Sequence, residues 1–227
     1  KDNTLDYNVH YRMKSIVSSI DSFRSNDQPV SILDVGGGSG GLAQFLREED
    51  TYCLADPAFN GISGTDLPLG DRSFDLVVSC HVLEHIPHED RDRFLDMLVS
   101  KASQAVILLN PFDIHVSRPH ERIELIINVT NAQWAKEHRD CKFPKVAEVE
   151  DYAKRRKLAI TIEDNGCMAT SLAFVFLQYF AHQVSGSKSD LDAISKYFNT
   201  LPDSALANSE CPNAYLVTLH SPGSSNS

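Results

Sequence analysis

Apolar residues along this chain alternate between short continuous runs and longer stretches with helical spacing. The short runs predict buried strands, because a strand covered on both faces needs apolar side chains on both. The longer stretches, with apolar residues three and four positions apart, predict helices between the strands. This alternation favours an α/β fold with a doubly wound, mostly parallel sheet. We predict a seven-stranded sheet. Six of its strands are the runs at 30–35, 51–56, 74–80, 104–110, 158–163 and 214–219, and 74–80 is counted as the fourth because a third strand is expected between 56 and 74.

The same pattern predicts how the chain is divided. Residues 1–29 are interpreted as an N-terminal helical arm, 30–220 as one domain and 221–227 as a disordered tail. Within the domain, extra C-terminal helices at 112–157 and 166–200 are interpreted as substrate, lid or interface elements. The segment 172–180 is apolar nearly all round, which favours burial in the domain's own core or, as an alternative, in a homodimer interface.

A glycine-rich turn follows the first strand and precedes apolar residues at helical spacing, namely Leu42, Phe45 and Leu46. This arrangement predicts a loop that holds a ligand, followed by a helix, because glycines let ligand atoms approach the main chain. Gly36, Gly38 and Gly41 also match the dinucleotide pattern, so the glycines alone leave NAD and S-adenosylmethionine (SAM) open. Asp34 favours SAM, because a carboxylate would repel a pyrophosphate and suits a cationic ligand.

Two further acids follow the loop. Asp56 ends the second strand 22 residues after Asp34 and precedes Pro57. A carboxylate there is expected to accept hydrogen bonds from both ribose hydroxyls, although it also fits a simple strand-ending turn. Asp66 is a candidate partner for the adenine amine, and Leu67 is a candidate apolar neighbour of the ring.

Composition excludes several classes of protein. The 227 residues carry a formal charge of −10, which argues against a nucleic-acid-binding surface. Five widely spaced cysteines indicate neither a disulfide framework nor a zinc site, and we therefore expect a cytoplasmic protein without a metal. No signal peptide or membrane span is evident. Residues 118–157 hold ten basic and seven acidic residues, a mildly basic segment that suits an anionic or phosphate-linked acceptor or a solvated helix face.

With these segments placed, the chain resembles the class I SAM-dependent methyltransferases, in particular the broad group that includes the ubiquinone-biosynthesis type. The resemblance is carried by residues 34–40, Asp56, residues 66–69, and residues 73–79 with 82–86. It implies a Rossmann-like methyltransferase fold with SAM as cofactor and S-adenosylhomocysteine as product. It also implies contacts to the methionine, ribose and adenine parts of SAM, made by Asp34, Gly36, Gly38, Ser39, Gly40, Asp56, Pro57, Asp66, Leu67, Cys80 and His81.

The acceptor is less constrained than the cofactor. A base is needed only if the acceptor is a hydroxyl or a protonated amine, and the candidates for a catalytic role are His85, His81 and His115, with Asp113 and His120 also near strand ends. Residues 133–138 and 143–152 loosely resemble methyltransferases encoded among glycan-building genes. We therefore predict methyl transfer to an O or N atom of a small-molecule or glycan-precursor substrate. An NAD(P)-binding oxidoreductase and a non-catalytic SAM-binding or scaffold protein remain as alternatives.

Overall fold

A computed structural model describes residues 5–113 and 118–221. The catalytic candidate His115 and positions 222–227 of the predicted tail lie outside these ranges. The strands are β1 (Ser31–Val35), β2 (Thr51–Ala55), β3 (Phe74–Cys80), β4 (Ala102–Asn110), β5 (Ala159–Asn165) and β6 (Ala214–His220). The helices are α1 (Tyr7–Ser22), α2 (Arg91–Lys101), α3 (Pro119–Thr130), α4 (Gln133–Cys141), α5 (Val146–Arg156), α6 (Met168–Gln183), α7 (Lys188–Phe198) and α8 (Asp203–Leu206).

The strands form one sheet in the order β2-β1-β3-β4-β6-β5. β1 pairs in parallel with β2 and β3, and β3 with β4, whereas β6 runs antiparallel to β4 and β5. Successive side chains of a strand point to opposite faces, and each face here packs in its own hydrophobic cluster. Ile32 packs with Ile16 and Ile20 of α1, while Leu33 packs with Phe94 of α2. This arrangement confirms the mostly parallel α/β fold covered on both faces.

Two local predictions near the glycine loop are wrong. The described residues give six strands rather than seven, since the segment between β2 and β3 contains only an isolated bridge between Ser63 and Asp66. That segment is interrupted by Gly64, Pro68 and Gly70, which do not support a strand. The predicted helix after the glycines is a single short 3₁₀ helix, Gly41–Phe45, although Leu42 is buried as expected.

The C-terminal part of the chain differs from its predicted form in three places. A single helix through Ile123 and Trp134 was expected, but Asn131 adopts a left-handed φ of 55° and separates α3 from α4. The segment 172–180 was expected to be buried, yet of its side chains only Phe174 is buried in the single chain, and Phe180 is 54% exposed. The homodimer therefore stays a prediction. Ser221, assigned to the tail, is buried and donates its N–H to the Gln104 carbonyl.

Candidate active site

The carboxyl ends of β1 and β2 bring the predicted cofactor residues together. Gly36 donates its N–H to the carbonyl of Ala55 over 2.7 Å, which joins the loop to the end of β2. Asp56 follows directly and accepts the Gly38 N–H over 2.9 Å. Asp34 lies beneath the loop, 2% exposed, and its Oδ2 accepts a hydrogen bond from Tyr52 over 2.8 Å. Two of the acids that the sequence singled out therefore flank the glycine turn.

Two of the loop glycines are required by close contacts. A Cβ on Gly36, whose φ is +76°, would lie 2.4 Å from Val82. A Cβ on Gly37 would lie 2.2 Å from Oδ2 of Asp34. Neither distance is compatible with a side chain, so the loop backbone can sit directly on Asp34 and Val82 only with glycine. A Cβ on Gly38 would instead meet nothing within 4 Å, so that side of the loop is open.

Burial, with a smaller contribution from Asp56, raises the pKa of Asp34 to about 6, while the Tyr52 hydroxyl partly offsets the shift. The raised pKa lies above the value of an unfolded aspartate. The neutral form of Asp34 therefore favours folding fully below about pH 4, and this contribution is lost as the pH rises through about 6. At neutral pH the site holds a buried carboxylate that has no ion-pair partner among the described residues, and a cationic ligand would compensate its charge.

If the ammonium of SAM interacts with ionised Asp34, SAM affinity should fall as the pH drops through about 6, approaching tenfold per pH unit. Calorimetric titrations with SAM between pH 5 and 8 measure this. Asp34→Asn should weaken binding and remove the slope. Tyr52→Phe deletes the hydrogen bond that lowers the pKa, so the decline should begin at higher pH. Identical slopes in all three proteins would assign the pH dependence to another group.

Four other residues that were predicted to bind the cofactor lie at the rim of the site or in the hydrophobic core. Pro57 and Ser39 are exposed at the rim, and so is Asp66, whose N–H donates to the Ser63 carbonyl over 3.0 Å. Leu67 is 4% exposed and belongs to the hydrophobic core, so it offers little surface to an adenine ring. Phe59, three residues after Asp56, was not predicted and exposes 59% of its surface.

His81 follows β3 and adopts a left-handed backbone with φ of 56°. A hydrogen bond from its N–H to the Leu109 carbonyl, 2.8 Å long, stabilises this conformation. Its Nδ1 lies 3.0 Å from Oε1 of Glu84, and its Nε2 is buried without a hydrogen-bond partner among the described residues. Burial and, next, the positive charge of Arg12 lower the pKa of His81, against the opposing effect of Glu84. The imidazole is therefore neutral at pH 7. Burial raises the pKa of the neighbouring Cys80 thiol to about 12, which favours the protonated thiol over the reactive thiolate at neutral pH.

A buried cluster extends from His81. Glu84 is 0% exposed, and its Oε2 accepts a hydrogen bond from Asn110. The Nε2 atoms of His85 and His138 lie 3.0 Å apart, and His138 Nε2 lies 3.8 Å from Glu84 Oε1. Burial would raise the pKa of Glu84, but His81 and then His138 outweigh it and hold the value at about 2. Burial lowers the pKa of His138 to about 4.

A cavity of about 330 Å³ adjoins this cluster. His81, His85 and His138 contribute to its lining, and α1, α3 and α6 contribute much of the remaining wall. Arg122 of α3 also lines it, and its Nη1 is buried without a hydrogen-bond partner among the described residues. Burial lowers the pKa of this guanidinium. A buried cationic group without a partner favours an anionic ligand, because pairing would compensate its lost hydration.

The predicted arm is part of this cavity. Tyr7, Tyr11 and Arg12 of α1 line it, and His10 of the same helix contacts Phe45 of the 3₁₀ helix after the glycine loop, with ring centroids 5.5 Å apart. Asp113 and His120 lie 3.8 Å apart and line a second cavity. The structure therefore brings His81 and His85 together and places His120 elsewhere.

A family model described as "Methyltransferase domain" matches residues 6–161 of this chain. The chain belongs to that methyltransferase family. Its methyl donor is accordingly SAM, and the match covers the glycine loop, the histidine cluster and the first helices of the cavity. A comparison with curated protein sequences found no match. None of the helices in the described ranges is long and apolar enough to cross a bilayer.

Solved methyltransferase structures share the fold. A phosphoethanolamine N-methyltransferase 2 from Haemonchus contortus aligns with 15% identity and a TM-score of 0.57, over 92% of this chain and 53% of that one. The chain thus spans about half the length of that protein. A putative methyltransferase from an antibiotic biosynthesis pathway of Anabaena variabilis aligns with 14% identity and a TM-score of 0.58, over 92% and 99% of the two chains. A SAM-dependent methyltransferase from Archaeoglobus fulgidus aligns with 15% identity and a TM-score of 0.54, over 92% of each chain.

The sequence alone did not identify three residues that lie in or beside the cavity of this methyltransferase. Glu84 was quoted within a motif but given no role, although its position between His81 and His85 is a usable signal. His138 lies 53 residues beyond His85 along the chain, and no local pattern joins them. Arg122 was counted only as part of a basic segment. Its burial depends on how α3 packs, which the sequence alone does not indicate.

Proposed function

We propose that this methyltransferase transfers the methyl group of SAM to an oxygen or nitrogen atom of a small acceptor that carries a phosphate or carboxylate. A free small molecule or a phosphate-bearing glycan precursor fits this description. The observation that supports it most is the cavity beside His81 with the buried, unpartnered Nη1 of Arg122. An acceptor anion on Arg122 would fix the molecule at one end, with its nucleophilic atom toward the histidines.

The residues of the glycine turn fit the cofactor. Asp34 supplies a buried carboxylate for an ammonium, Asp56 supplies acceptors for the ribose, and the open side of Gly38 supplies room. When bound, SAM supplies an electrophilic methyl carbon on a sulfonium. The main task of the chain is then to align the acceptor, which in well-oriented systems contributes ~7–11 kcal/mol.

His81 is the group that we propose as general base. The Glu84 carboxylate beside Nδ1 orients the ring, and the unpartnered Nε2 belongs to a residue of the cavity wall. Its lowered pKa keeps it neutral, and therefore able to accept a proton from an acceptor hydroxyl, at pH 7. His85 is less suitable because its Nε2 already contacts His138 and its Nδ1 lies 3.3 Å from Glu137.

The direct test uses SAM labelled in its methyl group and matched pairs of acceptors, such as sugar phosphates and nucleotide sugars against the same sugars without phosphate. Transfer of label to the anionic member of a pair is the expected result. Equal transfer to both members would contradict the anionic requirement. SAM binding without transfer to any acceptor would favour a scaffold, and binding of NADH without SAM would favour the oxidoreductase.

Replacing Arg122 by methionine should raise the KM of an anionic acceptor about tenfold, equivalent to ~1.4 kcal/mol, with little change in kcat. The reason is that the lost guanidinium contact is made equally in the ground state and the transition state. Arg118→Met is the matched control, because Arg118 lies just before the same helix with a 73% exposed side chain paired to Glu121. Steady-state kinetics measure both. An unchanged KM in Arg122→Met would place the anion elsewhere.

A further inference from the structure

One carboxylate and two imidazoles converge beside the cavity. Glu84 and His85 lie on the short 3₁₀ turn after β3, and His138 comes from α4. One oxygen or nitrogen atom of each lies within 4.8 Å of the other two. We propose that Glu84, His85 and His138 bind a divalent transition-metal ion of the Zn²⁺ class.

The donor set fits such an ion. One carboxylate oxygen and two imidazole nitrogens are ligands that suit Zn²⁺, Co²⁺ or Mn²⁺ rather than Ca²⁺. With metal–ligand bonds of about 2.0–2.1 Å, tetrahedral donors lie roughly 3.3 Å apart. The observed separations are 3.0 Å between the two Nε2 atoms and 3.8 Å between His138 Nε2 and Glu84 Oε1. Small side-chain rotations would suffice to bring all three donors onto one ion.

The buried charge of Glu84 calls for a cation. Within the described ranges its ion-pair partners are His81 and His138, and no lysine or arginine lies within ion-pair distance of it. Its Oε1 is buried between two imidazoles, 3.0 Å from His81 Nδ1 and 3.8 Å from His138 Nε2, and meets hydrogen-bond geometry with none of the described residues. Burying a carboxylate without a compensating charge is costly, so an oxygen left in this state marks a place for a positively charged ligand.

The surroundings hold the three donors in place. Asn110 donates to the other carboxylate oxygen of Glu84, which leaves Oε1 for the ion. The second ring nitrogen of His85 lies 3.3 Å from Glu137. A carboxylate on the far nitrogen of a metal-binding imidazole orients the ring and makes it a better ligand. The ring of Trp134 packs against His138 with centroids 5.2 Å apart.

Three protein ligands leave a coordination position for water or substrate, as in zinc sites that act on bound molecules. His85 and His138 both line the cavity, so this position would face the acceptor. An acceptor hydroxyl bound to the ion would lose its proton more easily, with His81 nearby to accept it. This use of the ion rests on the proposed methyl transfer, whereas binding of the ion does not.

The competing explanation is a hydrogen bond between the two imidazoles, since one neutral ring can donate to the other over 3.0 Å. That arrangement needs no ion, but it leaves Glu84 Oε1 with only the His81 and His138 imidazoles beside it and with no lysine or arginine of the described ranges at ion-pair distance. The two explanations differ in stoichiometry. The full 227-residue chain, treated with a chelator and dialysed, should bind one equivalent of Zn²⁺ in a calorimetric titration, and Co²⁺ should give the visible absorption of a four- or five-coordinate site.

His138→Ala and Glu84→Gln should each weaken Zn²⁺ binding by about 100-fold or more, because each removes a ligand. Glu137→Gln should weaken it by about tenfold. Glu137 is 48% exposed, so this variant tests the site even if changes in the buried cluster impair folding. His182→Ala, on an exposed part of α6, is the matched control and should bind Zn²⁺ as the wild type does.

No Zn²⁺ or Co²⁺ binding by the folded wild-type chain would overturn the proposal. The same follows if Glu137→Gln and every folded cluster variant bind the ion with unchanged affinity, because the ion would then sit elsewhere. Stoichiometric binding that depends on these residues, in a protein that transfers no methyl group to any acceptor, would support the metal site and count against the proposed function. The two ideas can therefore fail separately.

Discussion

Replacing His81 by asparagine should lower kcat for a hydroxyl acceptor by about 10²–10⁴-fold, the usual contribution of a positioned general base. Asparagine is chosen because it tolerates the left-handed backbone at this position, where φ is 56°, better than alanine does. The change removes Nε2 without forcing the turn after β3 to move. Affinity for SAM, measured by calorimetry, should stay within a few-fold of the wild type.

The pH profile separates a base from a structural role. A base must be neutral to act, so kcat should be flat at neutral pH and fall as the pH drops through the lowered pKa of His81. The Arg12 charge contributes to that lowered pKa. Arg12→Gln should therefore move the acid limb to higher pH, which a merely structural role of His81 would not produce.

His182→Ala serves as the control here as well, because His182 is exposed on α6 and is not among the residues that line the cavity. Full activity of His81→Asn would remove His81 from the mechanism. A large loss of activity in His81→Asn together with loss of SAM binding would indicate that the residue positions the cofactor instead.

The sheet and the acids at its edge could be predicted from the sequence because their signals are local. β3 is a continuous apolar run, and Asp34 sits one residue before the end of β1. Parallel strands end at the same edge, so Asp34 and Asp56 had to meet once the strands were recognised. The structure adds that Asp34 lies beneath Gly37, which explains its raised pKa.

The cavity beside the histidine cluster could not be predicted in the same way. His138 meets His85 only because Asn131 ends α3 and lets α4 turn toward the 3₁₀ helix after β3. The Nη1 atom of Arg122 is buried because α3 packs against α4 and α6. Both depend on packing between segments far apart in the chain, and a period of apolar residues does not encode the angle between two helices. The third strand that was wrongly predicted between β2 and β3 is a different case, because local sequence argued against it. Pro68 and Gly70 interrupt that segment and do not support a strand.

Substitution of Asp56 tests the expected hydrogen bonds between this methyltransferase and the ribose of its cofactor. Asp56→Ala should weaken SAM binding by ~1.5–3 kcal/mol, or about 10–150-fold, the scale of hydrogen bonds to a charged group. Both carboxylate oxygens already accept backbone N–H groups, from Gly38 and Ala58, each over 2.9 Å. Each oxygen retains a lone pair for a ribose hydroxyl. Asp71→Ala is the control, because the Asp71 side chain is 76% exposed and pairs with Lys101.

The two roles of Asp56, anchoring the glycine turn and holding the ribose, give different results with a second ligand. A SAM analogue without the ribose hydroxyls should bind the wild type more weakly than SAM does. In Asp56→Ala the two ligands should bind with nearly equal affinity, because the group that distinguishes them is gone. If the variant lost the same factor for both ligands, Asp56 would act through its bond to Gly38 alone. Calorimetry on the four combinations isolates the ribose contact from the anchoring of the turn.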